Sequence, residues 1–213
     1  GSFRLMTSGR LSGTGDEAVA GAATPSAEMF ATLSTGPQSI SLEIVVQSES
    51  WVQTGWCEPK AFQRLLTATT NELAPDATEW SGFTLVLSSD AEIAELNARF
   101  RDMAKPTNVL SFPATAPTGP AMMEVPDEGQ PDGEVRYLGD VIVAHETVNR
   151  EAERDGKSFD DHLQHLVLHG LLHLFGDDHE DDDSADAMEA KEVRILRQIG
   201  IPDPYHPSPS KER

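Results

Sequence analysis

The order in which two hydrophobic periods follow one another does most to limit what this chain can fold into. Ile40, Leu42, Ile44 and Val46 alternate with mostly polar neighbours, the period-2 pattern of a strand. A helical pattern then runs from Pro59 through Phe62, Leu65, Leu66 and Leu73, and Thr84–Ser88 reads as a second strand. Ser89 or Asp90 caps a helix that carries Ile93, Leu96 and Phe100 on one face. Asn108–Phe112 is a third, short strand stopped by Pro113, and Leu138–Ala144 is a fourth, apolar enough to lie inside a sheet. Three helical stretches follow, at about 145–155, 159–175 and 184–199. Strands and helices alternate early and helices gather late, which predicts an α+β (mixed α/β) layer structure. Its core would be a small, roughly four-stranded mixed sheet packed with helices.

The domain expected from this pattern occupies residues 40–205. Residues 1–39 read as a disordered tail, because 25 of them are Gly, Ser, Thr, Ala or Pro. Such a composition buries too little apolar surface to offset the entropy of ordering. Gly1-Ser2 is compatible with an expression scar, and Met6 or Met29 with a natural start further in. A segment at 114–137, rich in Pro, Gly and acids with Arg136 its one basic residue, reads as a flexible acidic insert. Residues 206–213 read as a second disordered tail.

Composition removes several functional classes. The 36 acidic residues against 16 basic ones give a formal net charge of −20, so bulk attraction to nucleic acid or to an anionic membrane is not expected. A phosphate ligand would need a local basic patch or a metal ion. The single cysteine, Cys57, excludes an internal disulfide. Arg4 and Arg10 are followed by no apolar run of signal-peptide length, and no stretch has the length and apolarity of a membrane span. The simplest compartment is the cytoplasm.

Chemistry concentrates in His169-Gly170-Leu171-Leu172-His173-Leu174-Phe175-Gly176-Asp177-Asp178-His179. His169 and His173 stand at i and i+4, about 6 Å apart along a helix and on one face, so their imidazoles can converge on one ion. Gly176 can adopt the left-handed backbone that ends a helix. The chain can then fold back and bring His179 to the same ion. Three neutral imidazoles with an open fourth position make a catalytic zinc site, whereas a closed structural site needs four protein ligands. Imidazole ligands also suit nickel, copper and iron. His165, one turn further back, is too far along the axis for direct ligation, and with His162 it reads as a polar helix position or a distant supporting group. His145 reads as a local hydrogen-bonding group at a strand-to-helix junction, with proximity to the pocket as the alternative, and His206 belongs to the tail.

The same spacing occurs in metzincin proteases, which carry Glu directly after the first His as general base. Gly170 stands there in this chain, so peptide hydrolysis by that mechanism lacks its base. Asp178 could hydrogen-bond a ligand imidazole or serve the turn. Asp177 should favour cation retention and oppose an approaching phosphate, and the run Glu180–Asp183 reads as the solvated start of the last helix. Ser111 and Asn108 either line the pocket mouth or satisfy strand-end backbone groups.

Three separated blocks resemble one known family, the YbeY bacterial metal-dependent endoribonucleases of ribosome maturation. The His169–His179 run matches its His-Gly-x-x-His-Leu-x-Gly-Tyr-Asp-His signature, departing at Asp177 where the family usually has tyrosine. Asn97, Phe100-Arg101 and Pro106-Thr107-Asn108-Val109-Leu110-Ser111-Phe112-Pro113 form a second match, and Leu138-Gly139-Asp140-Val141-Ile142 a third. The resemblance runs from about Ile40 to Tyr205. It implies one Zn2+ per chain on His169, His173 and His179, and cleavage of single-stranded RNA. It further implies a role in small-subunit (16S) ribosomal RNA 3′-end maturation and ribosome quality control.

The arginine that the family needs near its metal corresponds to Arg101. By its residue type alone Arg101 suits equally a helix end and a bidentate phosphate clamp, and the resemblance tips it to the second. Partners expected on this reading are single-stranded RNA and rRNA, delivered by a ribosomal particle or ribosomal protein, with no DNA and no membrane. Two other classes compete with it, a metalloprotease-like zinc hydrolase and a non-catalytic ribosome-assembly factor with a structural zinc.

Overall fold

A computed structural model of the chain describes residues 29–33, 40–73, 81–100, 109–114, 136–177 and 181–205. The fold is α+β. Five strands, β1 (Met29–Leu33), β2 (Ser41–Val46), β3 (Ser81–Ser88), β4 (Val109–Pro113) and β5 (Arg136–Ala144), form one mixed sheet in the order β1-β2-β3-β5-β4. β2, β3 and β5 run parallel, and β1 and β4 flank them antiparallel. The helices are α1 (Gln63–Glu72), α2 (Asp90–Phe100), α3 (His145–Arg154), α4 (Phe159–Leu174) and α5 (Asp182–Gln198). The helical segment expected from Pro59 begins as a 3-10 turn, Pro59–Phe62, before α1.

The alternation of residues along the strands sorts the core into two layers. Leu42 and Ile44 of β2, Phe83, Leu85 and Leu87 of β3, and Val141 and Val143 of β5 pack with α1, α3, α4 and α5 in the larger cluster. Val86, Ile142, Ala144 and Leu110 meet Ile93 of α2 on the opposite face. β3 is buried along its whole length, as a central parallel strand covered on both faces must be. Among the described residues no helix is long and apolar enough to cross a membrane.

Two boundaries differ from those expected. The sheet has a fifth strand, Met29–Leu33, inside the segment assigned to the tail; it pairs with β2 from Met29↔Val46 to Leu33↔Leu42. A five-residue strand is diluted in a composition count over 39 residues, and its order comes from pairing along an open sheet edge, which composition does not encode. The expected insert is also too wide at both ends. Arg136 and Tyr137 belong to β5 and pair with Ser81 and Gly82, while the Ala114 N–H donates to the Leu138 carbonyl at 3.0 Å. The remainder of that segment, the rest of residues 1–39 and residues 206–213 lie outside the described residues.

Candidate metal centre

α4 is built to be held deep in the molecule. Ser158 caps its first turn by accepting from the Asp161 N–H at 3.0 Å, and Asp160 and Asp161 complement the helix dipole. Leu163, Val167, Leu168, Leu171 and Leu172 have no exposed surface. Gly170 lies where the helix meets the sheet: a Cβ there would sit 2.7 Å from Val141 Cγ1 and 3.0 Å from Ser111 Oγ. The close approach also lets Ser111 Oγ donate to the Gly170 carbonyl at 3.3 Å. A glutamate at this position has no room, so the protease-type base is absent for a packing reason.

The helix ends as a Schellman turn. Gly176 takes φ +98° and its N–H donates to the His173 carbonyl at 3.0 Å, while the Asp177 N–H donates to Leu172 at 3.0 Å. This turn returns the Asp177 carbonyl over the side chain of His173.

His169 and His173 meet on one face, their rings edge to face with centroids 4.6 Å apart. His169 Nδ1 faces Glu192 Oε1 at 2.8 Å, and His173 Nδ1 faces the Asp177 carbonyl oxygen at 2.9 Å. A carboxylate and a carbonyl accept only, so each Nδ1 carries its proton. In neutral rings both Nε2 atoms therefore present lone pairs, and they lie 3.1 Å from each other. Two acceptors so close suit a cation that both can bind. Ligand nitrogens about 2.0–2.1 Å from a tetrahedral zinc stand about 3.3–3.4 Å apart, so the pair has near-ligand spacing. The donor set thus fits a zinc-type ion.

Glu192 is the keystone of this arrangement and is fully buried. Besides His169 it accepts from His165 Nε2 at 3.3 Å and from the Tyr205 hydroxyl. Burial, the largest single influence, would raise the Glu192 carboxyl; the hydrogen bonds from His165, His169 and Tyr205 together outweigh it and hold it down to about 2. The same contact, added to burial, pushes the Tyr205 phenol up. His165 is therefore a supporting group for Glu192. His162, pushed down by burial and partly restored by Glu151, bonds that carboxylate at 2.9 Å. His145 packs its ring edge to face on Trp51, 5.0 Å between centroids, and against Phe159.

Asp177 does not act as the loose anion expected from its position. Lys191 Nζ lies 2.6 Å from each of its carboxylate oxygens. The acidic run does open the last helix, with Asp181 accepting from the Ser184 N–H at 2.8 Å. A cavity of about 200 Å³ opens beside His169, lined by Ala185, Met188, Glu189 and Tyr205.

The structure brings together two of the four expected site residues, His169 and His173. His179 and Arg101, with Asp178 and Asn108, lie outside the described residues. Among the described residues no three His, Cys, Asp or Glu side chains close into a metal cage. Glu192, Tyr205, Lys191 and the Asp177 carbonyl were not expected from the sequence. A signal for Glu192 was present: it interrupts the buried stripe Met188, Ile195, Leu196, Ile199 at helical spacing, where an unsupported charge is costly.

Residues 52–200 match the family model described as Endoribonuclease YbeY. An Endoribonuclease YbeY of Nitrobacter winogradskyi is 44% identical over 165 residues, 78% of this chain and 82% of the relative. One of Rhodopseudomonas palustris is 44% identical over 164 residues, 76% of this chain and 80% of the relative. The solution structure of TM1509 from Thermotoga maritima aligns with 80% of this chain and 99% of its own at 22% identity and a TM-score of 0.44. A family match over more than half of the chain, with relatives above 40% identity across most of both lengths, shows that the chain belongs to the Endoribonuclease YbeY family.

Proposed function

We propose that the chain is a zinc-dependent endoribonuclease that cuts single-stranded RNA, acting in small-subunit rRNA 3′-end maturation and ribosome quality control in the cytoplasm. The observation that carries the metal assignment is the pair of Nε2 atoms 3.1 Å apart on rings whose Nδ1 atoms are both held by acceptors. His169 and His173 would hold one ion, with His179 as third ligand and Arg101 as phosphate clamp by their match to the family's motifs. When bound, such an ion lowers the pKa of a bound water towards about 7 and polarises a phosphoryl oxygen. The chain's own contribution is to hold the Nδ1–H tautomer of both rings and to aim the two Nε2 lone pairs at one point, through Glu192 and the Asp177 carbonyl. Arg101 would stabilise charge developing on the phosphoryl oxygens by two parallel N–H donors.

The competing readings are weaker on specific grounds. The protease reading needs a carboxylate where Gly170 packs on Val141. A purely structural zinc would be needed to hold the C-terminal helices, yet α4 and α5 share a continuous apolar core through Leu168, Leu172, Met188 and Leu196. Chelation is therefore expected to leave a folded apo-protein. The net charge of −20 implies that free RNA is bound weakly and that a ribosomal particle or protein delivers the substrate.

The test is cleavage of a labelled single-stranded RNA by zinc-loaded protein beside His173→Ala prepared identically. Cleavage by the wild type alone is expected. Equal traces from both preparations, on naked RNA and on ribosomal particles, would contradict the proposal.

A further inference from the structure

Consecutive residues of one helix reach both halves of the metal pair. Glu192 of α5 bonds His169 directly, and its neighbour Lys191 grips Asp177, whose carbonyl faces His173 Nδ1. Asp177 is held at each of its polar groups: its N–H by Leu172, its carbonyl by His173, its carboxylate by Lys191. Backbone hydrogen bonds and Phe175, packed against the core, hold the start of the turn, and exposed Gly176 contributes no side chain, so among the described residues Lys191 is the side chain that grips its end at Asp177. The Lys191–Asp177 pair itself is only about a quarter exposed, at 26% for each side chain. Charge matters too, because the ammonium neutralises a carboxylate that stands three bonds from the carbonyl that orients a ligand.

We propose that Lys191 is a positioning residue for His173: by pinning the Asp177 carboxylate it keeps the Asp177 carbonyl on Nδ1 and so fixes the imidazole that aims Nε2 at the ion. The inference rests on the metal reading above for its purpose, but its geometry does not. α5 thereby sets both imidazoles from one rigid element, Glu192 through a side chain and Lys191 through a turn.

Two measurements on the full chain test it. In the first, long-range 1H–15N spectra of the apo-protein report the His169 and His173 tautomers in wild type, Lys191→Met, Asp177→Asn and Lys191→Arg. Wild type should show Nδ1–H in both rings. Lys191→Met and Asp177→Asn should average the His173 signals and leave His169 unchanged, and Lys191→Arg should restore the wild-type pattern. In the second, zinc affinity is measured by competition with a chromophoric chelator. Each disrupting variant should weaken binding about tenfold, the low end for loss of a group supporting a ligand. The double variant should lose no more than either single one, because both break the same contact. An unchanged His173 tautomer in Lys191→Met overturns the proposal, as does additive loss in the double variant. Should wild type bind no zinc, the metal reading fails while the apo spectra still decide the role of Lys191.

Discussion

His169 and His173 stand one turn apart on the same helix, yet they are held by opposite means. His169 is oriented by a buried carboxylate whose other oxygen is engaged by His165 and Tyr205, all side chains locked by packing. His173 is oriented by a main-chain carbonyl in the turn after α4, tied down by a partly exposed ion pair. The first device couples the site to the core, so disturbing it should cost stability and metal affinity together. The second depends on local turn geometry, so disturbing it should affect the ligand more than the fold.

The largest expected effect comes from Glu192→Gln. An amide offers one acceptor to the three donors now shared by two carboxylate oxygens, and leaving a buried donor unmet costs about 1–3 kcal/mol. Zinc affinity should fall about 10–100-fold in the same variant. Denaturant unfolding and chelator competition check the two halves, and loss of one without the other would break the comparison drawn above.

Gly170→Ala comes next. The added Cβ meets Val141 at 2.7 Å, and overpacking of about 1–3 kcal/mol exceeds the roughly 1 kcal/mol that alanine gains in helix propensity. A lower denaturation midpoint is expected; a higher one would mean that the helix stands off the sheet.

Lys191→Met should change stability by less than about 1 kcal/mol, the usual worth of a partly exposed pair, while weakening zinc binding. That separation is what distinguishes the turn from the buried network.

The smallest effect is expected at Asp140. Burial raises its carboxyl pKa, against a hydrogen bond from Tyr137 at 2.6 Å that lowers it. A carboxyl whose folded pKa lies above its unfolded value costs stability where it is ionised, and the cost disappears as pH falls below the unfolded pKa. Asp140→Asn should therefore raise the melting temperature slightly at pH 7, with the difference shrinking towards pH 3. An increasing advantage in acid would contradict the sign.

Much of this was legible before the structure. Strand and helix periods placed β2 to β5 and all five helices to within a few residues, because each buries a regular stripe. The i, i+4 spacing placed His169 and His173 together, since the helix alone dictates it. β1 was missed because edge pairing, not its own pattern, makes it a strand. The orienting groups were missed for a related reason. Glu192 is 23 positions from His169, and the Lys191–Asp177 contact spans 14 positions from the turn after α4 to α5, so no local rule connects them. The reading of Asp177 as an anion opposing phosphate failed because its neutralising partner lies on another element.

The central claim is that His169 and His173 share one ion, and zinc stoichiometry tests it most directly. Purified apo-protein titrated with zinc at neutral pH, beside His169→Ala and His173→Ala, should take up one ion per chain in the wild type. Each variant should lose that tight site; His173→Ala should keep its unfolding midpoint close to that of the apo wild type, while His169→Ala should lower it because buried Glu192 loses a donor. Tight uptake of one zinc by both variants would contradict the account, because the ion would then be held elsewhere.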